Sequence, residues 1–346
     1  MLKKKQRLKK KISINDVATA LGISRGTVSR AFNDNRKDIN PETRQRILEA
    51  AKRMGYYPDM SARRLVKGKT ECIGIIVPDL RNPFLCEMVT EIEKYTISKG
   101  YSALLSLVDN NIENQEKILT RMKSGQVDGI IITPCEHRKT VQMLNKVASQ
   151  KPLVSLKKIF GLKCDIVSFD DSLGVQMMTE YLISKGHKKI VYLCPEEPEL
   201  TVQVRFTAYK MSMENASLES KVVNLCTEDR DSDQYIEMIE GIFNSPYSPT
   251  AIFAYDDMIA INLIKTLKNM GVKVPDDISI VGFDNISFGE MIDPPLTTVA
   301  IDGAALGKNA VETIFSKIEN QQGFESIHEL KLIPKLIERA SVSQAR

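Results

Sequence analysis

From Cys72 onward, short apolar runs alternate with helix-period stretches, and this alternation constrains the fold more than any other feature of the chain. The first runs are CIGIIVPDL (72–80), SALLSLVD (102–109) and GIIITPC (129–135), followed by PLVSLKK and IVSFDD. Helical patterns separate them over Phe84–Ser98, up to Lys123, and over Lys139–Ala148. A second series begins after Asp171 with a helix to Lys185. It continues with KIVYLC (189–194), a helix over Thr201–Ala216 and VVNLC (222–226). A helix near Asp233–Phe243, AIFAYDD (251–257), a helix to Met270 and ISIVGFD (278–284) complete it. Strands alternating with helices predict parallel sheets covered by helices on both faces. About 100 residues per series predicts two similar α/β lobes. Ligands of open α/β sheets sit beyond the carboxyl ends of the strands, so the cleft between the lobes is the expected site.

Ahead of these lobes, the stretch Ile14–Met54 has the period of three short helices. Ile14, Val17, Ala18 and Leu21 form one apolar stripe, and Gly22 ends it. Ser24 is placed to cap a second helix, in which Val28, Ala31 and Phe32 face inward. Arg25, Gly26, Ser29, Arg30 and Asn33 share the opposite face, an arc of roughly 140° at about 100° per residue. Asn40-Pro41 opens a third helix, carried inward by Ile47, Ala51 and Met54 and closed by Gly55. This is a helix-turn-helix with a supporting helix, and its polar, arginine-bearing face has the chemistry for reading DNA.

Charge separates this headpiece from an inert three-helix bundle. Residues 1–69 hold 19 Lys+Arg against 6 Asp+Glu; with 48 against 44 in the whole chain, residues 70–346 carry 29 against 38. A basic module on an acidic body is the footprint of nucleic-acid binding. Met1–Lys11 has seven Lys/Arg and no acid. It lacks the apolar core of a signal peptide and is expected to be a disordered, phosphate-touching tail. No run reaches the eighteen or so apolar residues of a membrane span. The cysteines Cys72, Cys86, Cys135, Cys164, Cys194 and Cys226 are scattered without a C-x-x-C pair, which speaks against metal or disulfide roles and fits a reducing cytoplasm.

The chain resembles the LacI/GalR family of bacterial transcription regulators from about Ile12 to Ser341. The resemblance is carried by INDVATALGISRGTVSRAFN (14–33), INPETRQRILEAAKRMGYYPDMSARRL (39–65) and IGIIVPDLRNPF (73–84). QVDGIII (126–132), LISKGHKKI (182–190), PTAIFAYDDMIAI (249–261), VPDDISIVGFDNI (274–286), PPLTTV (294–299) and IPKLIERAS (333–341) follow in family order. The resemblance implies an α/β protein: a helix-turn-helix headpiece and hinge helix, then a two-lobed effector domain like periplasmic sugar-binding proteins, working as a homodimer. The corresponding boundaries are a basic tail at 1–11, a headpiece at 12–58, a hinge and linker at 59–69 and an effector and dimerisation domain at 70–346. Its first lobe would take about 70–170 plus 301–327 and its second about 171–298 plus 328–346.

By the same resemblance, Arg25, Gly26 and Arg30 stand at the base-reading positions of the second helix. Arginine pairs bidentately with guanine, at about 1–3 kcal/mol of discrimination per good contact. Gly26 offers no side chain, so one position fewer is read. Ser24, Thr27, Ser29 and Asn33 are expected on phosphates, and Tyr56 and Arg63 join the DNA-contact set. Met60–Val66 has barely two turns, whereas isolated helices need roughly 12–15 residues in water, so partner and DNA must stabilise it. Leu65 occupies the position of the family's minor-groove wedge, and Ala62 suits close packing of two hinges. Asp59 departs from the family's asparagine and puts a negative charge near phosphates.

For the cleft, the resemblance carries over Phe84, Arg205 and Asp284, a fixed cation and an acceptor able to clamp adjacent hydroxyls. Two departures follow. Lys157 stands where many sugar-responsive relatives have Asp, adding a positive charge, and Tyr255, ahead of Asp256, replaces an Asn and adds a stacking face. They point to a phosphorylated or acidic effector beside the family's neutral sugar. The pairs Asp170-Asp171, Asp256-Asp257 and Asp276-Asp277 lie where Asp caps helices. His137, His187 and His328 lack metal-ligand spacing, and no phosphate loop or nucleophile elbow is present. Neither enzyme activity nor a cofactor is expected. The expected partners are operator DNA, a small-molecule effector and a second copy, with no membrane. A regulator controlled by a protein partner, its cleft vestigial, stays open as an alternative; a periplasmic-type binding protein would have no use for the basic headpiece.

Overall fold

The computed structural model describes residues 12–32, 39–57, 68–196, 200–225, 227, 229, 232–320 and 327–346. The chain divides into two compact units, Met1–Thr70 and Glu71–Arg346.

The first unit contains α1 (Ile14–Leu21), α2 (Arg25–Ala31) and α3 (Pro41–Met54). Each helix begins where a side chain can accept an otherwise orphaned backbone N–H. Ser13 and Asp16 form a reciprocal capping box at α1, Ser24 accepts from the Thr27 N–H, and Asn40 accepts from the Glu42 N–H ahead of Pro41. Gly22 and Gly55 end α1 and α3 in the left-handed region, at φ +64° and +69°. Val17, Ala18, Val28, Ala31, Ile47 and Ala51 close on one another as the core. The Arg44 Nε donates to the Ala31 carbonyl at 3.1 Å, satisfying an acceptor at the end of α2. The expected hinge over Met60–Val66, with Asp59, Ala62, Arg63 and Leu65, lies outside the described residues, as do Asn33 and the tail.

The second unit is built on two six-stranded sheets, as the alternation predicts. Its first lobe runs β1 (Cys72–Val77), α4 (Pro83–Ser98), β2 (Ser102–Leu107), α5 (Ile112–Arg121), β3 (Gly129–Ile132), α6 (Thr140–Ala148), β4 (Leu153–Ser155) and β5 (Asp165–Phe169). The second runs α7 (Asp171–Ser184), β6 (Ile190–Pro195), α8 (Leu200–Asn215), β7 (Lys221–Leu225), α9 (Asp233–Phe243), β8 (Ala251–Ala254) and α10 (Asp257–Asn269). It continues with β9 (Ser279–Asp284), α11 (Phe288–Met291) and β10 (Thr297–Ala300). The chain then returns to the first lobe as α12 (Gly303–Asn320) and β11 (Glu329–Leu332), and ends through β12 (Lys335–Ile337) in the second.

Strand order is β11-β5-β4-β3-β1-β2 in one sheet and β12-β10-β9-β8-β6-β7 in the other. All pairs are parallel except β10 with β12. Each sheet is buried on both faces by separate apolar clusters, which is why β1, β3 and β8 read as unbroken apolar runs. One expectation is corrected. The sequence places residues 328–346 in the second lobe, but Glu329–Leu332 pairs with Ile166–Phe169 at the edge of the first. The final crossing therefore falls at Ile333-Pro334, because this edge strand is exposed and carries none of the apolar signature that marks the others.

Candidate nucleic-acid interface and effector cleft

On the first unit, packing sorts the side chains of α2. Val28 and Ala31 are buried, whereas Arg25, Gly26, Ser29 and Arg30 are exposed and Thr27 is half-buried. The turn fixes the angle at which this face is presented, because the Gly22 and Ile23 N–H groups close on the end of α1 and the Ser24 Oγ meets the Thr27 Oγ1 at 2.8 Å. The Ser24 hydroxyl is thus already engaged in capping. Tyr56 has a structural task too. It is half-buried, its ring edge-on to Phe32 with centroids 5.6 Å apart, and it belongs to the headpiece core. Sequence reasoning passed over Tyr57, which is 81% exposed.

In the second unit a cleft of about 620 Å³ lies between the lobes, and Phe84, Lys157, Arg205, Tyr255, Asp256 and Asp284 all line it. Arg205, on α8, is its electrostatic centre, with only 6% of its surface exposed. Its Nε donates to Asp171 Oδ1 at 2.8 Å and its Nη1 to the Tyr255 carbonyl at 2.8 Å; its Nη2 lies 3.7 Å from Asp284 Oδ1. The guanidinium sits 3.7 Å from the Phe283 ring centroid and 4.7 Å from that of Tyr255. Burial works against its charge, but Asp171, Tyr255 and Asp284 outweigh burial and hold it protonated above the ordinary arginine value. Burial in turn pushes the Asp284 carboxyl well above the usual carboxylate range, against the pull of Arg205. Asp284 also has φ +109°, a conformation that costs a non-glycine residue on the order of 1–3 kcal/mol and persists where the surroundings impose it. Across the cleft, Asn82 caps α4 through its Oδ1 and donates from Nδ2 to Asp284 Oδ2 at 3.2 Å.

The structure gives partners to three of the cleft residues. Lys157 does not face the cleft as an uncommitted cation, since its Nζ is 3.0 Å from Glu136 Oε1. The Tyr255 ring stacks on Arg205. Asp256 accepts the Ile259 N–H at 2.8 Å and so caps α10. Asp170 likewise caps α7, as the adjacent-acid rule expects, whereas its neighbour Asp171 is the partner of Arg205. Lys331 pairs with Asp170 at 2.8 Å. Sequence reasoning missed Asn82 and Asp171, which line the cleft, and Glu136, which holds the lining residues Lys157 and Thr201. Asn82 sat in plain view inside the IGIIVPDLRNPF run, while nothing in the spacing marked Glu136.

Thr133 and Ser168 bury their hydroxyls in the cleft wall without a hydrogen-bond partner among the described residues. Among those residues no group of His, Cys, Asp and Glu could hold a metal ion, and no helix is long and apolar enough to cross a membrane.

Two family models match the chain. One, for bacterial regulatory proteins of the lacI family, covers residues 13–59; the other, for a periplasmic binding protein-like domain, covers 179–342. The chain is 31% identical to the HTH-type transcriptional repressor PurR of Histophilus somni (strain 129Pt), over 95% of this chain and 98% of that one. The lac repressor dimer bound to operator and the anti-inducer ONPF superposes with a TM-score of 0.84 at 20% identity, over 96% of this chain and 100% of that one, a likeness of fold. A LacI family transcriptional regulator from Enterococcus faecium with bound ribose superposes with a TM-score of 0.68 at 26% identity, over 80% of this chain and 100% of that one.

Proposed function

The chain belongs to the LacI family of bacterial regulatory proteins, DNA-binding transcription regulators and not enzymes, and from that premise we propose a dimeric repressor whose grip on a pseudo-palindromic operator is set by a neutral, polyhydroxylated effector in the inter-lobe cleft. The observation that carries the DNA half is the exposed Arg25–Arg30 face of a helix whose opposite face, Val28 and Ala31, is buried in the headpiece core. Two such helices related by a two-fold axis would read two half-sites. The dimer is supported by the edge of the first sheet. Leu104, Leu105 and Leu107 on β2 and Ile97 on α4 are exposed apolar side chains, and an open edge strand bearing leucines calls for a cover.

The cleft supports a neutral effector over an anionic one. Lys157, Lys331 and Arg205 are each held by a carboxylate, so an incoming phosphate would compete with Glu136, Asp170 or Asp171. The half-buried acceptors and the buried Thr133 and Ser168 hydroxyls suit a ligand that both donates and accepts hydrogen bonds. The ribose-bound relative adds weight to a sugar. A cleft of this polarity also favours a small molecule over a vestigial cavity. By linkage, effector and operator change each other's affinity by the same factor, typically about 1–3 kcal/mol.

Operator selection from random duplexes tests the first half. The recovered sites should be pseudo-palindromes, and Arg30→Ala should relax the preference at one base pair per half-site by about 1–3 kcal/mol. Uniform weakening on all sequences would make Arg30 a phosphate contact. Thermal denaturation with ribose against ribose 5-phosphate tests the second half; tighter binding of the phosphate would sink the neutral-effector reading.

A further inference from the structure

Glu136 follows β3 in the first lobe, yet two of its partners belong to the second. Its Oε1 accepts from the Thr201 Oγ1 at 3.0 Å and from the Lys157 Nζ at 3.0 Å, and its Oε2 accepts the Leu200 backbone N–H. Leu200 and Thr201 are the first residues of α8. One carboxylate, its side chain 8% exposed, thus caps a helix of the opposite lobe while neutralising the lysine of its own. The start of α8 carries the positive end of a sixteen-residue helix, and Lys157 adds a full charge beside it.

We infer that Glu136 determines the charge of the effector this cleft admits and clasps the two lobes through the lining residues Lys157, Leu200 and Thr201, an inference that rests on the cleft being an effector site. The argument is one of competition. An anionic ligand group would be drawn to the same donors, but it must displace a carboxylate that is already tethered there and leave that carboxylate buried without its partners. A neutral polyol meets no such competitor. It can bind in the cleft beside Arg205 and Asp284 with the clasp shut, so lobe closure and selection against anions come from one side chain.

The test uses the full-length chain as wild type, Glu136→Gln, Glu136→Ala and Thr201→Val. Thermal denaturation is followed with millimolar sodium phosphate against chloride at matched ionic strength, and amide exchange is read over the first turn of α8. Phosphate should stabilise Glu136→Gln and leave the wild type and Thr201→Val as they are in chloride. Amides at the start of α8 should exchange about tenfold faster in Glu136→Ala, and faster to a smaller degree in Thr201→Val, because a charge-assisted bond across the cleft has been removed. An equal phosphate response in wild type and Glu136→Gln, or unchanged exchange in Glu136→Ala, overturns the inference. A phosphate response in Thr201→Val, where Glu136 still pairs with Lys157, overturns the charge assignment. Neither readout involves a sugar, so a failure of the neutral-effector reading would show only in the ribose titration.

Discussion

Asp257 is wholly buried behind β9, its Oδ1 accepting the Thr298 hydroxyl at 2.6 Å and its Oδ2 the Ile286 N–H at 2.9 Å. Burial pushes its carboxyl up to about 7, against the opposing pull of those two hydrogen bonds. Between the ordinary carboxylate value and about pH 7 the native chain holds a proton that the unfolded chain has released. This group therefore contributes stability that is complete at low pH and is lost as pH rises through that window, at no more than about 1.4 kcal/mol per pH unit. In Asp257→Asn that component should vanish, which urea denaturation between about pH 4 and about pH 8 would show as a stability that falls less steeply with pH than that of wild type. The neighbouring Asp256, one residue earlier, caps a helix and lines the cleft. Two adjacent acids of identical local pattern thus have unrelated tasks, and Gly282 follows from one of them: a Cβ there would stand 2.1 Å from Asp257 Oδ1.

The short elements depend on their ends. With seven residues, α2 is far below the length at which a helix stands alone in water, so its cap and its packing hold it. Ser24→Ala should cost the headpiece about 1 kcal/mol, seen as an earlier headpiece transition in calorimetry of the full chain. Gly26→Ala should act in the opposite direction. A Cβ there meets nothing closer than the Ser24 Oγ at 3.6 Å, and alanine gains up to about 1 kcal/mol of helix propensity over glycine. In the larger unit α12 lies against α4 at Gly307, where a Cβ would stand 3.0 Å from the Met88 carbonyl oxygen and 3.1 Å from the Ile92 nitrogen. Backbone cannot yield as a flexible side chain would. Gly307→Val should destabilise the effector domain by about 1–3 kcal/mol by forcing the two helices apart, measurable in its denaturant midpoint.

For the whole molecule, the exposed leucines of β2 argue for a second copy. Leu105→Lys places a charge on that edge and should leave a folded monomer in analytical ultracentrifugation, with operator affinity lowered because two half-sites are no longer held together. A mutant that stays dimeric would move the interface elsewhere. The two lobes of the larger unit are joined both by the chain and by side chains. Three crossings of the chain, at Asp170, between Ala300 and Gly303, and at Ile333-Pro334, join them, and Asn82–Asp284 and Glu136–Thr201 tie them across the cleft. On the proposed function, a ligand that changes those ties would change the angle between the lobes at the crossings.

The sequence alone determined the helices of the headpiece and the α/β alternation of the lobes, because caps, breakers and apolar periods act within a few residues of one another. It also marked Arg25 and Arg30, since a polar face opposite Val28 and Ala31 has nowhere to go but solvent. What only the tertiary structure decided are the pairings between distant residues. Lys157 carries a charge that reads as open to an anion until Glu136, twenty-one residues away, is found beside it. Asp171 and Arg205 meet across thirty-four positions, and β11 joins the first sheet although its residues carry no buried-strand pattern. Such contacts are set by which loops the two sheets bring together at their carboxyl ends, and no local periodicity records them.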